Sequence, residues 1–435
     1  MSSLLDQIDS QVSQLLTRRR RRWLSQPRTL CGGFLTLYAI FFVALLPTII
    51  RGEVLGDLPL YRIWAENGLQ GGVWPGISMP WVYPIGALVP ITLAGLAGPA
   101  FYQLLWFLLT MVLNAGALAV LTDFGRNRRA YSAAWWWLLI SLVLSPVALL
   151  RLEGLTAPLV IAGLVLLARR PVVASALLTV ATWIKVWPVA VLLAIIAAGR
   201  HRMRVIVTAS VVTAAVATTV WALGGLATLT SFVTMQSDRA LQLEAPISTP
   251  WVWLAAVGHP GSFIYENVTL ATREVAGPGA TAAAAAMTPL MLLAVVGIFT
   301  LILRAKRRSR DVTQLMLVGA LALSTALVVF NKVGSPQYML WIAPIVAVGI
   351  ANDGQRWRVP AYLMLGIGLL TTLVFPVSYQ PLIAGDPAAV LLLTLRNALV
   401  VLMLLWSSRS LWLLENVSVP APHTREIGVV AVLDT

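Results

Sequence analysis

The sequence predicts an all-α polytopic membrane protein of about twelve transmembrane helices, with extracytoplasmic loops and short interfacial helices. Hydrophobic residues make up 59% of the 435 positions and charged residues 11%, with a mean hydropathy of +0.84. Such a chain repeatedly offers apolar runs approaching the roughly 20 residues that a membrane helix needs. These runs are continuous in Leu, Ala, Val and Ile, not alternating in segments of about ten, which points to helices instead of a β-barrel. The third observation is where the charges fall between the runs.

Twelve spans are expected, at about 31–50, 100–122, 131–149, 155–168, 171–184, 188–199, 205–226, 281–303, 312–330, 338–351, 360–376 and 388–406. With both termini cytoplasmic, 23 of the 31 Lys and Arg residues lie on the inner side, including Arg18 to Arg22, Arg126, Arg128, Arg129 and Arg304 to Arg310. This is the positive-inside bias of a cytoplasmic-membrane protein. The run 82–97, interrupted by Pro84 and Pro90, is read as a helix lying on the outer surface or dipping partly in, because counting it as a span would place Arg126 to Arg129 outside. The run 171–199 is divided near Lys185 and Pro188, since proline favours a helix boundary and the lysine then reaches the outer interface. Three segments follow: a basic cytoplasmic segment 1–30, a transmembrane domain 31–406 with outer loops 51–99 and 227–280, and a weakly ordered cytoplasmic tail 407–435.

The net charge of +14 is explained by this topology and calls for no nucleic-acid surface. Cys31 is the single cysteine, and His201, His259 and His423 are far apart, so no metal site is indicated. No Gly-rich phosphate loop is present, and no cofactor is expected.

The outer segments carry the distinctive chemistry. Loop 51–99 holds Glu53, Asp57, Tyr61, Arg62, Trp64 and Tyr83, and loop 227–280 holds Asp238, Arg239, Gln242, Glu244, Trp251 and Trp253. Carboxylates, cations, amides and aromatic rings on one face suit sugar recognition, with acceptors for hydroxyls, rings for stacking and cations for a phosphate. An aromatic belt with snorkelling cations accounts for many of the tryptophans but not for long outer loops bearing carboxylates.

Gly56-Asp57-Leu58-Pro59-Leu60-Tyr61, Trp81-Val82-Tyr83-Pro84 and Arg151-Leu152-Glu153 resemble the integral-membrane glycosyltransferases of the GT-C superfamily. Trp183-Ile184-Lys185-Val186-Trp187-Pro188, the run from Gln236 to Glu244 and the run Asn331 to Tyr338 are similar to glycosyltransferase family 87, whose members resemble polyprenol-phosphate-mannose-dependent α-mannosyltransferases. The chain departs from that pattern at Ile85, Glu153 and Ala245. The resemblance implies a GT-C-type fold and an inverting transfer of a sugar, mannose in the family's pattern, from a polyprenyl phosphate to a glycolipid or lipoglycan hydroxyl on the outer leaflet. It also implies that Asp57 is the catalytic position.

An inverting transfer needs one general base and cations for the leaving phosphate, and Asp57, a few residues beyond the first helix, suits the base. Its bland alternative is a helix cap before Pro59; Glu53 and Glu153 are second choices for the base, with pairing to Arg51 and Arg151 as theirs. Lys332, Lys185, Arg62, Arg151 and Arg396 are candidates for the donor phosphate, against roles as interface anchors. Glu153, Glu244, Gln337, Tyr338 and Tyr61 are candidates for sugar or acceptor. A transporter or lipid-linked sugar flippase accounts equally well for twelve spans, but would place its polar residues near the midplane in related halves. A non-catalytic assembly protein has no need for Asp57.

Overall fold

The computed structural model describes residues 17–199, 201–235, 239–268 and 272–416. The motif residues Gln236, Ser237 and Asp238, Arg200, and tail positions 417–435 lie outside the described residues. The fold is mostly helical, with 74% helix and 3% strand. The main helices are α1 Pro27–Ile50, α2 Leu58–Gly71, α3 Leu88–Gly95, α4 Tyr102–Leu121, α5 Tyr131–Val143, α6 Leu152–Leu166, α7 Pro171–Ile184, α8 Val189–Ala198, α9 Arg202–Ala222 and α10 Thr249–Ala256. After the strands β1 Phe263–Asn267 and β2 Thr272–Ala276 come α11 Ala280–Lys306, α12 Val312–Val329, α13 Ala343–Asn352, α14 Arg358–Thr372 and α15 Pro387–Asn416.

Each expected span overlaps helical structure, but the helices fall into two groups. Among the described residues seven are long and apolar enough to cross a membrane: α1, α4, α9, α11, α12, α14 together with its continuation Leu373–Val377, and α15. The others that coincide with expected spans have only 10 to 15 residues: α5, α6, α7, α8 and α13. At 1.5 Å per residue none of these reaches across a hydrocarbon layer of about 30 Å unaided.

Helix α12 is the centre of the packing, with 78% of its residues buried, mainly against α15, α8 and α11. It is apolar on every side, the pattern of a helix enclosed by others. By contrast the most apolar 18-residue stretches of α9 and α11 are only 11% and 17% buried, and these helices present Val207, Val211, Leu292, Leu293 and Val296 outward, as lipid-facing helices do. A second apolar cluster joins Leu241, Leu243, Val252, Val275 and Ala284 to Val390 and Leu393 of α15, so the loop 227–280 is seated on the helical body.

The break inside 171–199 follows the sequence: α7 ends at Ile184, Lys185 is extended, and Pro188 precedes α8. Trp187 secures the break by donating from its indole to Thr156 of α6 at 3.1 Å. Run 82–97 forms a short 3-10 turn and α3, eleven helical residues in all. The expected all-α description needs one correction. β1 and β2 form an antiparallel hairpin in the loop 227–280, with residues 241–243 bonded along β2 through Leu243 N to Arg273 O and Val275 N to Leu241 O. Alternating burial along a five-residue strand is a weak signal beside long apolar runs, so the hairpin was not expected. The helix α15 also runs on through 407–416, the first part of the expected weakly ordered tail.

Contacts sort the connections into two ends. At one end Asp123 meets Arg169 at 3.6 Å, Lys306 donates to the Gly199 carbonyl, Arg356 meets Asp311 at 3.1 Å, and Trp135 donates to the Leu24 carbonyl. These are the segments that the charge pattern groups together as basic. The opposite end gathers the loops from which the candidate site residues come.

Candidate active site

Asp57 occupies the N-cap position of α2, yet its backbone is helical (φ −90°, ψ −6°) and its side chain makes no capping bond. A capping Asp adopts extended backbone and turns its oxygens onto the next amides. Here the carboxylate turns away: Oδ1 contacts the Arg151 guanidinium, and Oδ2 accepts from the Tyr61 hydroxyl at 3.3 Å. Tyr61 is fully buried, its ring packed between Trp64 and Trp106, so it is a fixed donor beneath the carboxylate.

Arg151 is extended and begins α6, which places Glu153 in that helix's first turn, where an anion is favoured by the helix dipole. Glu153 is completely buried, and Lys185 Nζ lies 3.2 Å from its Oε1. Neither Glu153 oxygen takes a well-directed hydrogen bond, so the contact is ionic and both oxygens retain acceptor capacity. The Lys185 ammonium also stands 4.2 Å from the centre of the Tyr83 ring. Tyr83 reaches that position because Gly86 carries no side chain: a Cβ there would lie 2.7 Å from the Trp183 carbonyl oxygen at the end of α7. Lys185 was expected to extend to the outer interface; it turns inward instead, drawn by Glu153 and the Tyr83 face.

The loop 241–245 is clamped from two sides. Gln242 donates its backbone N–H to the Lys332 carbonyl at 2.9 Å and accepts on its side chain from Gly334 N at 3.1 Å. Gly334 is required by this approach, since a Cβ would lie 2.2 Å from Ala245 N. On the other side Arg396 of α15 donates to the Glu244 backbone carbonyl at 2.8 Å and approaches its carboxylate at 3.5 Å. The shorter bond is the firmer one. Arg396, expected either to hold a phosphate or to snorkel, is thereby engaged with Glu244 inside the protein.

Gln337 accepts from the Ser335 hydroxyl at 2.7 Å, and Tyr338 stacks on Trp341 with ring centres 3.9 Å apart. Tyr338 lies within the electrostatic influence of Glu153 and Arg239. Arg62 is held elsewhere, donating to the Gly52 carbonyl at 2.9 Å and 3.9 Å from Glu66. Glu53 pairs with Arg51 at 3.0 Å on the exposed surface, its bland role. The structure thus brings Asp57, Tyr61, Arg151, Glu153, Lys185, Glu244, Tyr338 and Arg396 to one end of the bundle and leaves Arg62 and Glu53 at its margin.

Burial pushes the Arg151 guanidinium down to about 10, with Glu153 and Glu244 opposing, so it remains a cation at neutral pH. Burial lowers Lys185 while Glu153 opposes, and burial raises the Glu244 carboxyl while Arg396 and Arg151 oppose. Three residues join the cluster without having been selected as candidates: Tyr83, Arg239 and Tyr379, the last acting electrostatically on Glu244 and Arg151. Tyr83 and Arg239 were visible in the outer-loop motifs. Tyr379 had no local signal, since only the packing of the α14 to α15 connection brings it near.

The family model described as Glycosyltransferase family 87 matches residues 81–272. Over this stretch, somewhat under half of its length, the chain is similar to the glycosyltransferases of family 87. Neither the curated proteins nor the solved structures return a match. The family 87 stretch contains Tyr83, Arg151, Glu153, Lys185, Arg239 and Glu244. Asp57, Lys332 and Arg396 lie outside it in sequence, yet each is bonded to a residue within it. The candidate site is therefore assembled from the matched stretch and from both flanks.

Proposed function

We propose that this membrane glycosyltransferase is inverting and moves mannose from a polyprenyl phosphate to a hydroxyl of a glycolipid or lipoglycan. The reaction takes place on the outer face of the cytoplasmic membrane, with twelve crossings and both termini inside. The observation that carries this reading is the Asp57 carboxylate, which gives up the capping role its position offers and faces a buried array of cations and hydroxyls. In the reaction the acceptor oxygen attacks the sugar's anomeric carbon, and its proton passes to Asp57. The bond from that carbon to the phosphate oxygen breaks, and its electron pair leaves with the polyprenyl phosphate. One base and no second nucleophilic carboxylate are needed.

Arg151, Lys185 and Lys332 supply the positive charge for the leaving phosphate. Glu153 and Glu244, buried and rich in acceptor capacity, suit sugar hydroxyls, with Gln337 and the stacked Tyr338 at the same end of the bundle. The direct test incubates membranes containing the protein with labelled polyprenyl-phosphate mannose. Label should appear in a lipid-linked or lipoglycan acceptor, and no transfer from this donor would refute the reading.

Orientation has its own test. In a Cys31→Ser background, Gln70→Cys and Glu266→Cys should react with an impermeant thiol reagent in intact cells, whereas Asn127→Cys and Arg307→Cys should not. All four positions are exposed, so labelling reports the side of the membrane and not burial. Reaction at 127 from outside would reverse the assignment.

A further inference from the structure

On the strength of that reading, we propose that the donor's phosphate and the adjoining isoprene units dock in a groove between the β1–β2 hairpin and the start of α11, with Arg239 as the phosphate ligand. The groove has a volume of about 310 Å³, at the lower end of the range for small-molecule sites. Its polar side carries Arg239, Lys332 and Tyr265, and its other side is the small-residue face Ala280, Thr281, Ala284 and Ala285 of α11. Among the described residues its lining holds the cations Arg239 and Lys332 and no carboxylate, which favours an anion.

Arg239 supplies an independent indication. Its Nε is buried and makes no hydrogen bond within the protein, and a buried donor left in that state is costly unless a ligand completes it. The remaining wall explains why the anion should carry a hydrocarbon chain. Alanine side chains leave a furrow along α11, which continues into a surface of exposed Leu292, Leu293 and Val296. A ligand with a charged head and a long branched tail satisfies both halves, whereas a water-soluble sugar phosphate makes no use of the furrow.

The groove is also coupled to the reactive cluster. Arg239 acts electrostatically on Tyr83, on Lys185, a proposed phosphate cation, and on Tyr338, a proposed sugar contact, so a phosphate bound to it lies within their electrostatic reach. The Lys332 backbone is fixed by its bond to Gln242, which anchors that segment in the groove's lining.

The experiment measures binding of labelled long-chain polyprenyl monophosphate to the full chain in zwitterionic nanodiscs, alongside mannose transfer by the same preparations. Arg239→Gln should weaken binding about tenfold or more, as expected for loss of a charge-assisted hydrogen bond. Ala285→Trp, which fills the furrow from an exposed position, should weaken the long-chain phosphate similarly but leave a one-isoprene phosphate unaffected. Thr281→Trp should behave in the same way, and Val207→Trp, exposed on α9 and away from the groove lining, should not change binding. Wild-type affinity in both Arg239→Gln and Ala285→Trp, with transfer intact, would overturn the groove while leaving the enzymatic reading in place. Equal displacement by an anionic phospholipid would show a general anionic-lipid site and also overturn it. Wild-type protein that neither binds polyprenyl phosphate nor transfers mannose would instead remove the donor class itself.

Discussion

Asp57→Asn should lower transfer by about 100 to 10,000-fold, the contribution typical of a positioned general base. Asn preserves the shape of the side chain and can still accept from Tyr61, but it cannot take the acceptor's proton. It also loses the charge that pairs with Arg151, so folding should be checked by melting of the purified protein. Donor binding should change little if the carboxylate serves the acceptor hydroxyl. Glu53→Gln is the matched control and should keep most activity, because Glu53 is exposed and pairs only with exposed Arg51. An Asp57→Asn enzyme with full activity would remove the proposed base and direct attention to Glu153 and Glu244.

The second large effect is expected at Lys185. Removing it by Lys185→Ala leaves the completely buried Glu153 carboxylate without its counter-ion, a change that costs about 3 to 5 kcal/mol in buried pairs. An exposed anchoring lysine would cost under about 1 kcal/mol. The melting temperature in detergent should therefore fall markedly, and the double replacement Glu153→Gln with Lys185→Met should recover most of it. If Lys185 also contacts the donor phosphate, that recovered protein will need more donor for half-maximal rate. Arg at 185 should restore only part of either property, since a planar guanidinium does not reproduce an ammonium lodged between Glu153 and the Tyr83 ring. Equal stability of Lys185→Ala and the parent protein would contradict the buried pair.

Much of the architecture was legible because hydrophobic run length and the distribution of Arg and Lys are strong, local signals. The break at Lys185 could be read from Pro188 and from the expense of burying a charge. What that reasoning missed was the destination of the lysine, since the partner that draws it inward is Glu153, thirty-two residues away. Arg396 illustrates the same limit. Its place within an apolar run was plain, but the backbone carbonyl that receives it belongs to Glu244, and no spacing rule connects the two. The hairpin of 263–276 escaped because five-residue strands leave little periodic trace. Asp57 was accessible through the motif around it, while its release from capping could be learned only from the geometry.

The short helices have a consequence for what the reacting carbon meets. Helices α8 and α13 have 10 residues each and rise about 15 Å, roughly half the hydrocarbon thickness. The Lys185 break and the turn Pro336–Trp341, which lead into them, are thereby set below the level of the surrounding headgroups on the proposed orientation. A recessed floor of this kind lets two lipid-borne substrates meet without either leaving the bilayer. It also limits the supply of water, the most abundant competing nucleophile for an activated sugar. The enzyme should then show little hydrolysis of its donor when no acceptor is present, and fidelity toward transfer would stem from the depth at which the chain interrupts its helices.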